Sequence, residues 1–286
     1  MSDRKTNSIR LLALVPAVLT AGLISGFVIF NTFAEGLGYI PELSMYRLDF
    51  SALRDLFADD VFLKGLALSC RVALISTLLC SVFGVLLAYA VIRTGNRLLS
   101  FSTALPLILS YVVAGILVYN LFSDHGIIYH LLVLAGVKTE GIKVLFTESA
   151  AGVVILYCFK GTPFVAISVM PVLSRVMDRY TVAAANLGAS KPRIYARIVF
   201  PLIRHSVAAA ALVLFNYEMF TYESYFYLGS STPVALGVYA YKSSRLSDLR
   251  SRAAGMTVNA VMILISLVTV VLYAIAVGRE AKTDEG

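Results

Sequence analysis

The stretch from Val182 to Pro201 reads VAAANLGASKPRIYARIVFP and separates two long apolar runs of the chain. We expect a helix that ends at Gly188, because glycine suits the left-handed position that follows many helices. A second helix is expected to begin after Ser190, which can cap it. Pro192 then falls in the first turn, where a missing amide hydrogen does no harm. The segment therefore predicts two short helices at an angle around a tight turn.

The composition of the chain is that of a membrane protein. Of its 286 residues, 59% are hydrophobic and 14% are charged, whereas soluble domains carry about 25% charged residues. The three cysteines lie in apolar runs without metal-ligand spacing and are expected to be small buried hydrophobes. Six stretches are long enough to cross a bilayer, which takes about 20 residues. They lie at Leu11–Phe33, Ala67–Ile92, Phe101–Phe122, Ser149–Pro171, His205–Leu228 and Gly255–Gly278. The predicted fold class is an all-α membrane protein with six transmembrane helices.

The distribution of Lys and Arg predicts which side of the membrane each loop faces. With the N-terminus inside, thirteen basic residues lie in inner segments and nine in outer loops, against five and ten acidic residues. Because loops rich in Lys and Arg stay in the cytoplasm, both termini and the Val182–Pro201 segment are predicted to be cytoplasmic. This asymmetry accounts for the net charge of +7, so no nucleic-acid partner is expected.

The spans and loops divide the chain into predicted segments. Residues 1–10 form an inner tail, and residues 11–33 a first membrane helix too long for a cleaved signal peptide. Residues 34–66 form a periplasmic loop. Residues 67–278 form a core that holds the cytoplasmic loop 172–204, and residues 279–286 form an inner tail.

The stretch Val182–Pro201 resembles the cytoplasmic loop with which membrane subunits of bacterial ABC importers dock onto their ATPase. The family pattern is Glu-Ala-Ala, three residues, Gly, nine residues and Ile-x-Leu-Pro. Here Val182 replaces the glutamate and Phe200 replaces the leucine. The resemblance assigns ATPase coupling to Val182, Ala183, Ala184, Gly188, Ala189, Ser190, Ile198 and Pro201.

The resemblance implies a type I ABC importer transmembrane domain in the bacterial inner (plasma) membrane. Its implied partners are ATPase subunits, a second permease subunit of the same or another kind, membrane lipid and an external solute-binding protein. Further likeness, at Tyr222–Gly229 (YESYFYLG) and Arg252–Met256 (RAAGM), is to the spermidine/putrescine permease group. A polyamine is therefore the first expected solute, with thiamine, phosphonate, iron(III) or another small ion as alternatives.

The sequence contains no nucleotide-binding GxxxxGK[ST] motif. The chain is therefore expected to be a transport subunit without a cofactor or enzymatic activity of its own, and ATP hydrolysis falls to the partner.

Three charged residues within the apolar stretches, together with Tyr222, are candidates for the substrate path. Glu218 and Glu223 lie among tyrosines, and Lys160 lies in the fourth stretch. Charged side chains at bilayer depth cost about 2.5–3.5 kcal/mol on insertion scales, so each needs a role. Either one or both glutamates line the path and attract a cationic solute, or Glu218 forms a structural ion pair with Lys160 and Glu223 lies near the outer water. Of the two glutamates, Glu223 is the better candidate for facing the path. An ion-coupled secondary transporter is a remote alternative, disfavoured because no inverted repeat is visible.

Overall fold

The computed structural model describes residues 2–39, 50–136, 143–181, 184, 186–245 and 249–283, and within these ranges the chain is helical without strands. Tertiary packing decides which residues of each apolar stretch are helical, so the bounds differ from those predicted. The α-helices are α1 Ser2–Gly36, α2 Ser51–Ala58, α3 Asp60–Thr94, α4 Arg97–Ile108, α5 Tyr111–Phe122, α6 Ile127–Leu134, α7 Ala151–Val176, α8 Lys191–Ile194, α9 Phe200–Phe220, α10 Glu223–Leu228, α11 Leu236–Arg245 and α12 Leu249–Thr283. Two π-helical turns, Met177–Thr181 and Tyr195–Val199, extend α7 and join α8 to α9.

Six helical segments of the described ranges are long and apolar enough to cross a membrane, which confirms the predicted fold class. They are Val18–Gly36, Asp60–Thr94, Tyr111–Leu134, Ala151–Thr181, Lys191–Phe220 and Gly255–Ile275. The second begins at Asp60 rather than at the predicted Ala67, so the end of the predicted outer loop 34–66 belongs to a helix.

Two predicted spans are broken within the apolar sequence. Leu109 and Ser110 are extended, with ψ of 139° and 158°, and divide the predicted third span into α4 and α5. The Ser110 hydroxyl accepts a hydrogen bond from the Val113 amide at 3.2 Å and so starts a new helix. The predicted fifth span ends at Phe220, because Thr221 is extended and α10 starts afresh. Hydropathy does not reveal either break, since the flanking side chains stay apolar.

The chain forms two compact units, 1–59 with 240–265 and 60–239 with 266–286. In the first unit, the Thr257 hydroxyl donates to the carbonyl of Gly36 at 2.9 Å and ties α1 to α12. The second unit contains α3, α4, α5, α7, α9 and α10, and every candidate site residue in the described ranges belongs to it.

Small residues at every fourth position of α3 allow α7 to approach closely. They are Ser76, Cys80, Gly84 and Ala88, all buried. A Cβ on Gly84 would lie 2.6 Å from the Cβ of Val165 and 2.9 Å from the carbonyl oxygen of Thr162. Since lipid tails are as apolar as the side chains, such close packing is a main source of helix association in a membrane.

The second unit has two hydrophobic clusters. The first, named the inner cluster because it lies toward the Gly188 turn, joins the middle and C-terminal parts of α3 and α7 to α9 from Ile203 to Leu214, with Leu173 and Ile203 fully buried. The outer cluster joins the start of α3 to α5, α7 and α10 around Tyr157. On the opposite face of α3, Leu78 and Val82 are 66% and 58% exposed, as suits a surface in contact with lipid.

Candidate functional site

The turn at Gly188 has the predicted left-handed backbone. Its φ is +80°, and the Ala189 amide donates to the Ala184 carbonyl at 3.1 Å, so the helix ends in a Schellman-type arrangement. Leu187, directly before the glycine, is 89% exposed. Val182 and Ala183, which were expected to share in ATPase coupling, lie outside the described residues.

The helix after the turn differs from the prediction in two respects. Ser190 stands at its N-cap with extended backbone, but its side chain makes no capping hydrogen bond, and Pro192 lies in the first turn as predicted. The helix is also not short, because the π turn Tyr195–Val199 carries it directly into α9. The exposed Pro201 accounts for that turn: it cannot donate to the carbonyl four residues back, and the wider π turn accommodates its ring.

The turn is anchored to the inner hydrophobic cluster. Ala184, Ile194 and Val199 are 8%, 7% and 2% exposed, and Ile198 and Ala189 pack against the same cluster. The rings of Tyr195 and Tyr89 meet edge to face at 5.9 Å and tie the segment to α3. The base of the turn is therefore packed against α3 and α7.

Ala184, which the resemblance assigns to ATPase coupling, packs its methyl group inward against the inner cluster. Its part in coupling stays a prediction. The exposed tip of the turn consists instead of Asn186, Leu187, Gly188 and Ser190. The sequence analysis did not predict Leu187 as an exposed residue of the turn. The signal for it is its position directly before a left-handed glycine, because a side chain at the end of a helix has few neighbours.

A cleft of about 340 Å³ lies beside the turn, between the C-terminal end of α3 and the start of α8. It is lined by Tyr89, Arg93, Met177, Thr181, Asn186, Lys191, Ile194, Tyr195 and Val199. Arg93 donates to the Tyr89 hydroxyl at 2.7 Å, so one cationic side chain is held at the rim.

Lys160 does not form the ion pair with Glu218 that the sequence suggested. Its side chain is 6% exposed, and its ammonium donates to the carbonyl oxygens of Pro106, at 3.2 Å, and Leu109. The same nitrogen lies 4.5 Å from the centre of the Tyr111 ring. The break after α4 exposes carbonyls that lack a helical partner, and these attract the lysine in place of a carboxylate.

Glu218 lies on α9 and is bound by side chains of α3. It is fully buried, and one carboxyl oxygen accepts hydrogen bonds from Ser76 and from Thr77, the latter at 3.4 Å. Its other carboxyl oxygen has no hydrogen-bond partner. The Tyr157 hydroxyl donates to the backbone carbonyl of Glu218 at 3.0 Å.

Glu223 and Tyr222 lie after the second break. Glu223 is half-buried in the first turn of α10, and the half-buried Tyr222 ring lies 6.0 Å from that of Phe226. Although both glutamates fall in the predicted fifth span, they lie on different helices, Glu218 on α9 and Glu223 on α10.

A cavity of about 270 Å³ adjoins Lys160. Lys160 and Phe164 of α7 line it together with residues of α4, α5 and α9: Leu107, Tyr111, Val213, Leu214 and Tyr217. The Tyr111 and Tyr217 rings lie 4.9 Å apart. Of the four predicted path residues, Lys160 lines this cavity, whereas Glu218, Tyr222 and Glu223 do not. Within the described ranges of the chain, no group of three or more His, Cys, Asp or Glu side chains could hold a metal ion.

Residues 80–281 match the family described as binding-protein-dependent transport system inner membrane component. The chain belongs to this family. The matched range begins at Cys80 in α3 and includes both the Gly188 turn and the cavity beside Lys160. The predicted identity as a permease subunit of the type I ABC importer class is thereby confirmed.

Two relatives of this binding-protein-dependent permease are named for sulfate and molybdenum transport. A Chlorokybus atmophyticus protein described as "Probable sulfate transport system permease protein cysT" is 31% identical over 179 residues, 62% of this chain and 60% of that protein. The "Molybdenum transport system permease protein ModB" of Mycobacterium bovis is 32% identical over 154 residues, 53% and 56% respectively. The chain thus matches 60% or less of the length of either relative. The names of these relatives do not support the predicted likeness to the spermidine/putrescine permease group.

The fold of the permease matches a solved structure along almost its whole length. A chain of the bacterial alginate ABC transporter, in complex with an alginate pentasaccharide-bound periplasmic protein, superposes with a TM-score of 0.73. The match covers 95% of this chain and 94% of that chain at 17% identity. At this identity the likeness shows the fold alone.

Proposed function

We propose that this chain is the membrane-spanning subunit of an ABC importer for a small oxyanion and that the turn at Gly188 docks onto the ATPase. The observation that carries the proposal is a turn whose tip is exposed while its base is buried. Leu187 is 89% exposed, whereas Ala184 and Ile194, on either side of it, are 8% and 7% exposed. A partner that pushes on such a tip moves the packed helices behind it.

The work of this subunit is mechanical. ATP binding closes the partner ATPase pair, which draws the turns of two permease subunits together. Because α7 and α9 run from the turn into the membrane, this motion changes the side on which the solute path is open. A solute-binding protein delivers the ion, and ATP hydrolysis resets the helices. The excess of Lys and Arg on the proposed inner side supports cytoplasmic termini and an inner-membrane location.

The relatives named for sulfate and molybdenum transport support a small oxyanion over the polyamine that the sequence first suggested. Their names favour the alternative of another small ion. Uptake assays with sulfate, molybdate and putrescine as competitors test this choice, and competition by putrescine alone would contradict an oxyanion.

The docking proposal is tested with Gly188→Asp. Gly136→Asp is the matched control, because Gly136 has φ of +75° and, like Gly188, no atom within 4 Å of an added Cβ. The left-handed backbone costs about 1–2 kcal/mol in both variants, while Gly136 lies in a predicted outer loop. We expect Gly188→Asp to lose ATPase co-purification and uptake, and Gly136→Asp to keep both. Normal uptake by Gly188→Asp, or equal losses in the two variants, would refute docking at this turn.

A further inference from the structure

We infer that the cavity between α5, α7 and α9 is an oxyanion subsite within the membrane and that Lys160 supplies its positive charge. This inference rests on the proposed function, because it names where the transported ion pauses on its way through the permease. The cavity of about 270 Å³ is bounded by the broken third span on one side and by Lys160 on another.

The first argument is the buried charge of Lys160, which two carbonyl dipoles offset only in part. Its ammonium is buried and contacts two neutral carbonyl oxygens and one aromatic ring. Among the described residues, none of its contacts is a carboxylate. The carboxyl group of Glu218, the buried acidic group of the same unit, is engaged by Ser76 and Thr77 on α3. A buried cation without a counter-ion is strongly unfavourable in a membrane, so its presence beside a cavity indicates an anionic ligand.

The second argument is the helix break itself. Leu109 and Ser110 separate the C-terminal end of α4 from the N-terminal end of α5. The carbonyls at the end of α4 are bound by Lys160, whereas α5 begins here with the positive end of its helix dipole. Tyr111, the first residue of α5, lines the cavity. The lysine therefore offsets the negative end of α4, while the positive end of α5 lies beside the same cavity.

The third argument is the balance between binding and release. The ammonium has three N–H donors and uses two on the carbonyls, so one donor and a partly neutralised charge remain for the ion. The side chains of Tyr111 and Tyr217 add hydroxyl groups, which can also donate to oxygen ligands. Conduction needs sites that are favourable enough to enter and weak enough to leave. A lysine already bound to helix carbonyls meets that need, because it attracts an oxyanion without holding it permanently.

The test uses the complete importer, with binding protein and ATPase, reconstituted in liposomes and supplied with radiolabelled sulfate or molybdate. We expect Lys160→Met to lower uptake at limiting ion about 10-fold or more, since a charge-assisted hydrogen bond is lost. Arg71→Met is the control cation: Arg71 is exposed and donates to the Glu148 carbonyl at 2.8 Å, so uptake should not change. Co-purification of the ATPase with Lys160→Met separates failure of this inference from failure of the docking proposal.

A second pair of variants keeps the inference testable if Lys160→Met does not fold. Val213 lines the cavity, and the Glu and Gln side chains that replace it are nearly equal in size. We expect Val213→Glu to lower oxyanion uptake at least 10-fold below Val213→Gln, because the two differ by one negative charge at the same place. Equal uptake by the Glu and Gln variants, or wild-type uptake by an assembled Lys160→Met importer, would overturn the inference.

Discussion

The contact between α3 and α7 predicts that Gly84→Ala destabilises the permease although it adds a single methyl group. The new Cβ would lie 2.6 Å from the Cβ of Val165 and 2.8 Å from its Cγ1, whereas carbon atoms normally stay about 3.5–4.0 Å apart. The Cβ of Val165 is bonded to the backbone and cannot rotate away, so the two helices must separate by about 1 Å. Such overpacking costs about 3 kcal/mol at its upper range, and the better helix propensity of alanine offsets about 1 kcal/mol. We therefore expect a net loss of about 2 kcal/mol.

Thermal unfolding of the detergent-purified subunit measures this loss. A decrease of about 2 kcal/mol lowers the folding equilibrium constant about 30-fold. The matched control is Gly26→Ala in α1, where an added Cβ meets no atom within 4 Å. That variant should be neutral or stabilised by up to about 1 kcal/mol. If Gly84→Ala were as stable as Gly26→Ala, the close approach of α3 and α7 would not be a source of stability, and the reasoning would fail.

Two further predictions concern the proposed docking turn. Leu187→Ala should weaken ATPase co-purification about 10-fold while leaving the melting temperature of the free subunit unchanged, because a side chain 89% exposed contributes little to folding; an equal affinity of both proteins for the ATPase would contradict a contact at the tip. Val182→Glu restores the usual glutamate of the docking pattern and should keep uptake within about 2-fold of wild type, whereas loss of assembly in a pull-down would show that the facing surface is apolar and tight.

The sequence alone predicted the features that depend on local patterns. Apolar runs of spanning length predict membrane helices wherever they occur, because the bilayer requires each backbone group to be paired within its own segment. The position of Gly188 predicted a left-handed helix end, since the cost of that conformation is a property of a single residue. The spacing of Ala184, Gly188, Ile198 and Pro201 was sufficient to predict the family, which the match over residues 80–281 confirms.

The tertiary structure decided the features that depend on distant partners. Lys160 and Glu218 are opposite charges in neighbouring spans, and the sequence favoured pairing them. Carbonyls freed at Leu109 by the break after α4 take the lysine instead, and hydroxyls of α3 take the glutamate. Which partner binds Lys160 or Glu218 depends on which helix packs against α7, and a hydropathy pattern contains no information on helix neighbours.

The division of roles in the turn follows the same principle. The sequence identified the turn but could not tell that Ala184 faces inward and Leu187 outward, because the rotation of a helix end is set by what it packs against. Here the inner cluster of α3, α7 and α9 draws in Ala184, Ile194 and Val199 and leaves Leu187 exposed. Local backbone preference determined where the chain turns, and burial against distant helices determined which side chains the turn presents.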